Sequence, residues 1–136
     1  MDPALQDVGL AVKRLQWRHH RGANQKLATI GLSLAQWDVL RHLDALPEAS
    51  LHDLAQLTFQ TDQSMGALAA RMTDRGLLER LTGAGRAVRH QLTPEGQRLR
   101  KAGAAMVDQV LAESLGRLTP GDLAVLLRLL TTAAAE

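Results

Sequence analysis

Residues Thr61–Leu92 read TDQSMGALAARMTDRGLLERLTGAGRAVRHQL, and the hydrophobic period changes within them. Met65, Leu68 and Met72 recur at helical spacing behind Thr61, a residue suited to cap a helix that ends near Gly76. Past Gly76, Leu78-Glu79-Arg80-Leu81 and Ala87-Val88-Arg89-His90-Gln91-Leu92 bracket Gly83-Ala84-Gly85. Two short strands around Gly-x-Gly predict a β-hairpin.

Upstream, Ser33-Leu34-Ala35-Gln36 and Ser50-Leu51-His52-Asp53 both have the form of a capping box, in which the third residue reaches back to the cap. Leu32 and Trp37 flank the first box as a hydrophobic staple. These signals predict a helix over about 34–45 with Trp37, Leu40 and Leu43 inward, stopped by Pro47. A short helix with Leu51, Leu54 and Ala55 inward follows. Three of the four prolines sit behind a capping residue, in Asp2-Pro3, Thr93-Pro94 and Thr119-Pro120. They predict a first helix from about Pro3 toward Gly31 and two final helices over about 94–116 and 120–133, with Thr131 to Glu136 frayed. Thr119 to Asp122 makes a third box, with Leu118 and Leu123 as its staple. Helix, turn, helix and hairpin form a winged helix-turn-helix. The fold class is mainly α with a small β-hairpin wing, in a single domain over 1–136 with its winged core at 33–93.

The first helix carries Leu5, Val8, Val12, Leu15 and His19 on one stripe, with Leu10 and Trp17 off it. The last carries Leu123, Leu126, Leu127 and Leu130. The winged core can close without them, so these stripes need another cover, and a second subunit is the simplest one. The helices at 1–31 and 94–136 are therefore the expected dimerisation elements.

At 136 residues and 46% hydrophobic, the chain has enough apolar material for one real core. No apolar run approaches the roughly 18 residues of a membrane span, and Met1-Asp2-Pro3 lacks the layout of a secretory signal. A soluble, cytoplasmic protein is expected. The absence of Cys excludes disulfides, Cys-based zinc sites and thiol nucleophiles. Charge is nearly balanced, 16 Lys+Arg against 14 Asp+Glu, but 13 of the cations are Arg and they are unevenly placed. Arg71, Arg75, Arg80, Arg86, Arg89, Arg98, Arg100 and Lys101 face only Asp74, Glu79 and Glu95, a local excess of five. On a helix-turn-helix such a cluster favours nucleic acid over a merely solvated basic face. A second basic run, Lys13, Arg14, Arg18, Arg21 and Lys26, could face a membrane surface, but two apolar faces on the same helix weigh against it.

Four motifs in this order, Leu32-Ser33-x-x-Gln36-Trp37-x-Val39-Leu40, Leu54-Ala55, Arg71-Met72-x-x-x-Gly76-Leu77-x-x-Arg80 and Leu92-Thr93-Pro94-x-Gly96, resemble the multiple-antibiotic-resistance regulator (MarR) family. The resemblance covers nearly the whole chain. It implies a homodimer on a pseudo-palindromic operator with half-sites ~34–36 Å apart. It also implies a repressor released by a small, often aromatic, anion. Two positions depart from the family pattern. Gly66-Ala67 stands where Thr-Arg is usual in the recognition helix. Ala84-x-Arg86 stands where Asp-x-Arg is usual in the wing, so the acid that steadies the wing arginine is missing.

The expected DNA contacts are Thr61, Gln63, Ser64, Arg71, Arg86 and Arg89. Gln63 can read adenine through a bidentate pair. Ser64 can bond a base edge or a phosphate, and Arg86 the minor groove or a phosphate. Asp62 is awkward beside phosphates, although a helix N-terminus favours it. The resemblance puts an effector pocket near Arg14, Trp17, His19 and Trp37, with Arg14 and His19 as counter-charges. Packing is the competing role for both Trp and for His19. The five His show no metal-ligand spacing, no nucleophile motif is present, and no cofactor is implied. A winged-helix module that binds protein rather than DNA is the alternative, suggested by the two departures.

Overall fold

A computed structural model describes residues 1–81 and 88–136. The expected turn Gly83-Ala84-Gly85 and Arg86 lie outside the described residues. The elements are α1 (Leu5–Ala28), α2 (Leu34–Ala45), α3 (Leu51–Leu57), α4 (Asp62–Asp74), β1 (Leu78–Arg80), β2 (His90–Leu92), α5 (Pro94–Ser114) and α6 (Pro120–Ala134). A single 3-10 turn, Leu115–Arg117, joins the last two helices, so α5 stops two residues before the expected end.

The caps explain most of these boundaries. Ser33 Oγ accepts the Gln36 N–H at 3.1 Å while Gln36 Oε1 accepts the Ser33 N–H at 3.0 Å. Ser50 and Asp53 repeat this exchange at 3.1 and 2.9 Å. Thr61, Thr93 and Thr119 each accept a backbone N–H three residues on, with Pro94 and Pro120 just inside their helices. Asp2 does not cap α1. The helix begins at Leu5 behind Ala4 without a side-chain cap, and Leu5 is 89% exposed, so nothing packs on the first turn to hold a cap there. At the other end α6 continues through Ala134, past the expected fraying point. Thr131 Oγ1 donates to the Leu127 carbonyl at 2.7 Å and so stays within the helix.

Three helices end in a left-handed residue that lets two following N–H groups turn back onto the last carbonyls. Gly31 ends α1 (φ 78°), with Leu32 N–H bonded to the Leu27 carbonyl. Gly76 ends α4 in the same way, Leu77 N–H reaching the Met72 carbonyl. At the end of α3 the position belongs to Phe59 (φ 59°), with Gln60 N–H bonded to the Ala55 carbonyl at 2.8 Å. A side chain in this backbone region costs about 1 kcal/mol or more, because Cβ crowds the carbonyl.

The core gathers Trp37, Val39, Leu40 and Leu43 of α2, Leu54 and Ala55 of α3, and Met65, Leu68, Ala69 and Met72 of α4. Leu77 and Leu78, Ala23 and Leu27 of α1, and Leu99 and Val107 of α5 close it. Burying each larger side chain here contributes on the order of 2 kcal/mol. Gly103 lets α5 lie directly on the Trp37 ring, where a Cβ would overlap the indole. Trp37 Nε1 then donates to the Arg100 carbonyl at 3.1 Å. Gly96 allows the same close approach of α5 to the Leu77 carbonyl.

β1 and β2 pair antiparallel, Leu78 opposite Leu92 and Arg80 opposite His90. Both strands are shorter than expected, although Leu81 N–H still reaches the Arg89 carbonyl. Just before β2 the chain also pairs outward. Ser50 bridges Arg89, and Leu51 N–H donates to the Val88 carbonyl at 3.3 Å, which fastens the hairpin to the start of α3. Away from this core, Val8, Leu10, Val12 and Trp17 of α1 are exposed, and α6 buries none of its residues. No helix of the described residues is long and apolar enough to cross a membrane.

Candidate nucleic-acid interface

The expected recognition helix is α4, and its first turn is held from the preceding turn of chain. Thr61 Oγ1 accepts the Ser64 N–H at 3.0 Å, and Ser64 Oγ donates to Gln60 Oε1 at 3.2 Å. Gln60 Nε2 in turn donates to Thr58 Oγ1 at 3.3 Å. Thr61, Gln63, Ser64 and Arg71 are all exposed. The lone pair of Thr61 is used by the cap, which leaves its O–H to donate outward. Ser64 is committed to Gln60, whereas the Gln63 amide makes no hydrogen bond among the described residues. Ala67 is exposed and Gly66 half-exposed, so nothing bulky separates Gln63 from Arg71.

Asp62, the first residue of α4, has a partner that the sequence did not suggest. His52 Nδ1 of α3 lies 2.9 and 3.1 Å from its two carboxylate oxygens. That hydrogen bond, and then the carboxylate charge, hold the His52 pKa above its ordinary 6.5. A protonated His52 would offset the Asp62 charge at the start of α4. Arg89 is half-buried, and its guanidinium donates to the Glu48 carbonyl, with the Glu48 carboxylate 3.7 Å away. It braces the α2–α3 connection, which leaves it less free for DNA than the sequence implied. Arg86, the expected wing contact, falls outside the described residues.

The residues expected around an effector do not converge. Trp37 is 5% exposed, its ring N–H is spent on Arg100, and the Arg41 guanidinium lies 5.1 Å from its ring centre. It is a core residue, because α5 comes too close to leave room for a ligand. His19 is half-buried and pairs with Ser114 Oγ at 2.5 Å, joining α1 to the end of α5; burial, then Arg18, lowers its pKa. Trp17 and Arg14 are exposed on α1, and Trp17 stacks on His20 with 5.8 Å between ring centres. A groove of about 310 Å³ opens instead between α3, α4 and the hairpin, lined by Leu51, Ala69, Thr73, Arg80, Val88 and His90 among others. His90 is 5% exposed, and its Nδ1 has no hydrogen-bond partner among the described residues. Burial, then Arg80, lowers the pKa of this imidazole and so disfavours its charged form. No local pattern around His90 marks it, since only the fold brings it to face α4.

A family model described as MarR family matches residues 30–87. No curated protein sequence matches the chain. Among solved structures, the Mycobacterium tuberculosis MarR family protein Rv2887 in complex with DNA is 26% identical, over 98% of this chain and 100% of that one, with a TM-score of 0.79. Bordetella bronchiseptica BpsR, whose DNA binding is regulated by 6-hydroxynicotinic acid, is 25% identical over 95% and 99%, with a TM-score of 0.84. A mutant MarR from E. coli bound to operator DNA shares the fold at 20% identity, over 95% and 94%, also with a TM-score of 0.84. The family match falls on the helix-turn-helix and the first strand of the hairpin, and solved relatives at 25–27% identity, the MarR family protein Rv2887 among them, are similar to this chain over nearly its whole length.

Proposed function

We propose that this chain is a transcriptional regulator that binds DNA as a homodimer and acts as a repressor released by a small molecule. The observation that carries the reading is the capped, outward-facing first turn of α4, with Gln63 uncommitted and the Asp62 charge answered by His52. The helices at 1–31 and 94–136 supply the dimer contacts around a winged core at 33–93. Their exposed apolar residues, among them Val8, Val12, Leu127 and Leu130, support that division. Work on DNA places the protein in the cytoplasm, and the role needs no catalysis and no cofactor. The protein-interaction alternative has less behind it, since solved relatives of matching length are described with DNA.

For the effector, Rv2887 is described with salicylic acid and BpsR with 6-hydroxynicotinic acid, both small aromatic acids. The groove beside α4 is within the size range of small-ligand sites and offers a cation, Arg80, with the unpartnered His90. It supports a carboxylate ligand better than the original set of Arg14, Trp17, His19 and Trp37, from which Trp37 is lost to the core.

An electrophoretic shift on the DNA upstream of the protein's own coding region tests the reading. We expect a complex that weakens steeply with salt and prefers a palindrome, because several Arg displace condensed counterions. A complex indifferent to sequence and salt, or none, overturns it.

A further inference from the structure

Phe59 is one of three aromatic residues in the chain and the only Phe. Its backbone is left-handed, the one such residue among the described non-glycines, and its side chain is 96% exposed. These two facts pull against each other. Strained conformations persist where the surroundings demand them, yet among the described residues nothing covers this ring. Glycine would take the backbone without strain, as it does at the two equivalent helix ends, Gly31 and Gly76. Among the described residues, therefore, the phenyl group has no packing partner that accounts for it.

Its position says what does. Phe59 stands two residues before Thr61, the cap of α4. Gln60, between them, is bonded to Ser64 on the first turn of α4 and to Thr58 on the other side. The ring is thus carried at the leading end of the helix whose N-terminal residues meet base edges in the major groove. What an exposed phenyl can recognise there is apolar, and in that groove the apolar group is the thymine 5-methyl. The residues that follow and flank it in sequence, Thr58, Gln60, Thr61 and Gln63, are polar and uncharged, and the one acid among them, Asp62, is paired with His52.

We infer that Phe59 is a specificity-determining residue that packs against a thymine methyl at the edge of each half-site. The inference rests on the DNA-binding reading above, and the experiment separates the two. Wild-type protein selects its site from random-sequence duplexes, and the selected duplex is then scanned with deoxyuridine in place of each thymine. Wild type should lose affinity on the order of tenfold at one thymine per half-site. Phe59→Gly and Phe59→Ala should bind the thymine duplex that much more weakly and be indifferent to the deoxyuridine change. Phe59→Gly should also raise the thermal midpoint by a few degrees, since it relieves the strained backbone. A variant that is more stable yet binds more weakly is the signature of a residue kept for its ligand. If wild type selects no site, the DNA-binding reading fails. If it selects one and both variants bind it as wild type does, or still sense the methyl, the inference about Phe59 fails alone.

Discussion

Under the proposed reading, two exposed residues at opposite ends of α4, Gln63 and Arg71, divide recognition between them. Gln63 has both amide donors and a carbonyl to offer one base, whereas Arg71, exposed near the helix end, offers charge. Gln63→Ala is therefore expected to relax preference at one base position, while Arg71→Ala weakens binding on all sequences and lowers the slope of log affinity against log salt by about one. Parallel titrations on the selected site and on a scrambled duplex check this; identical behaviour of the two variants contradicts it. Beside them, His52 ties binding to pH. Its pKa is raised by Asp62 chiefly, with Asp53 adding to it, and Arg89 faces Asp53. A His raised in the folded state stabilises fully below 6.5, and that contribution is lost as pH rises through the raised value. Loss of the proton also uncovers the Asp62 charge toward the DNA. Affinity at fixed salt should fall as pH rises above 6.5 through the raised His52 value, and His52→Gln or Asp62→Asn should flatten the profile. The Thr61 cap was legible in sequence because a cap and its partner are three residues apart. The His52–Asp62 pair was not, because the turn between α3 and α4 has to fold before the two meet.

The helices and the pairing of the two strands were legible in sequence, apart from several of their ends, since capping boxes, Pro positions and hydrophobic period all act locally. What escaped that reading depends on how elements meet. Gly103 looks unremarkable in the middle of α5, a residue type that weakens helices. Only the packing of α5 on α2 shows that a Cβ there would collide with Trp37 and Leu27. Gly103→Ala should accordingly cost on the order of 1–3 kcal/mol rather than stabilise the helix, with the Trp37–Arg100 hydrogen bond lost. A chemical denaturation midpoint lower than wild type checks the sign, and an unchanged or higher one refutes it. The same dependence on packing explains why sequence leaves Trp37 open between an effector pocket and the core, where the structure has it in the core. It also explains the tie between Ser50 and Arg89, which fastens the hairpin to α3 across residues far apart in sequence. Phe59 was missed for a different reason. Left-handed helix ends are signalled by Gly or Asn, and a Phe gives no such signal.

Across the whole molecule, apolar side chains are distributed unevenly. The middle of the chain is closed on itself, and the two terminal helices hold much of their apolar surface outward. Leu127 is 69% exposed, so Leu127→Asp should leave the single chain's fold intact while disrupting subunit association. Sedimentation should then show monomers, and binding to a two-half-site duplex should fall toward that of a single half-site; a dimer of normal affinity would refute the proposed division of the chain. The two tryptophans lie on opposite sides of this divide. With no Tyr in the chain, ultraviolet emission above 300 nm comes from Trp17 and Trp37 essentially alone. Trp37, sealed under Gly103 and bonded to Arg100, emits from an apolar site and reports whether the core is intact. Trp17, open to water and stacked on His20, reports what happens along the outer face of α1. Replacing either one by Phe leaves an optical channel that follows folding or subunit pairing separately, with no dye attached.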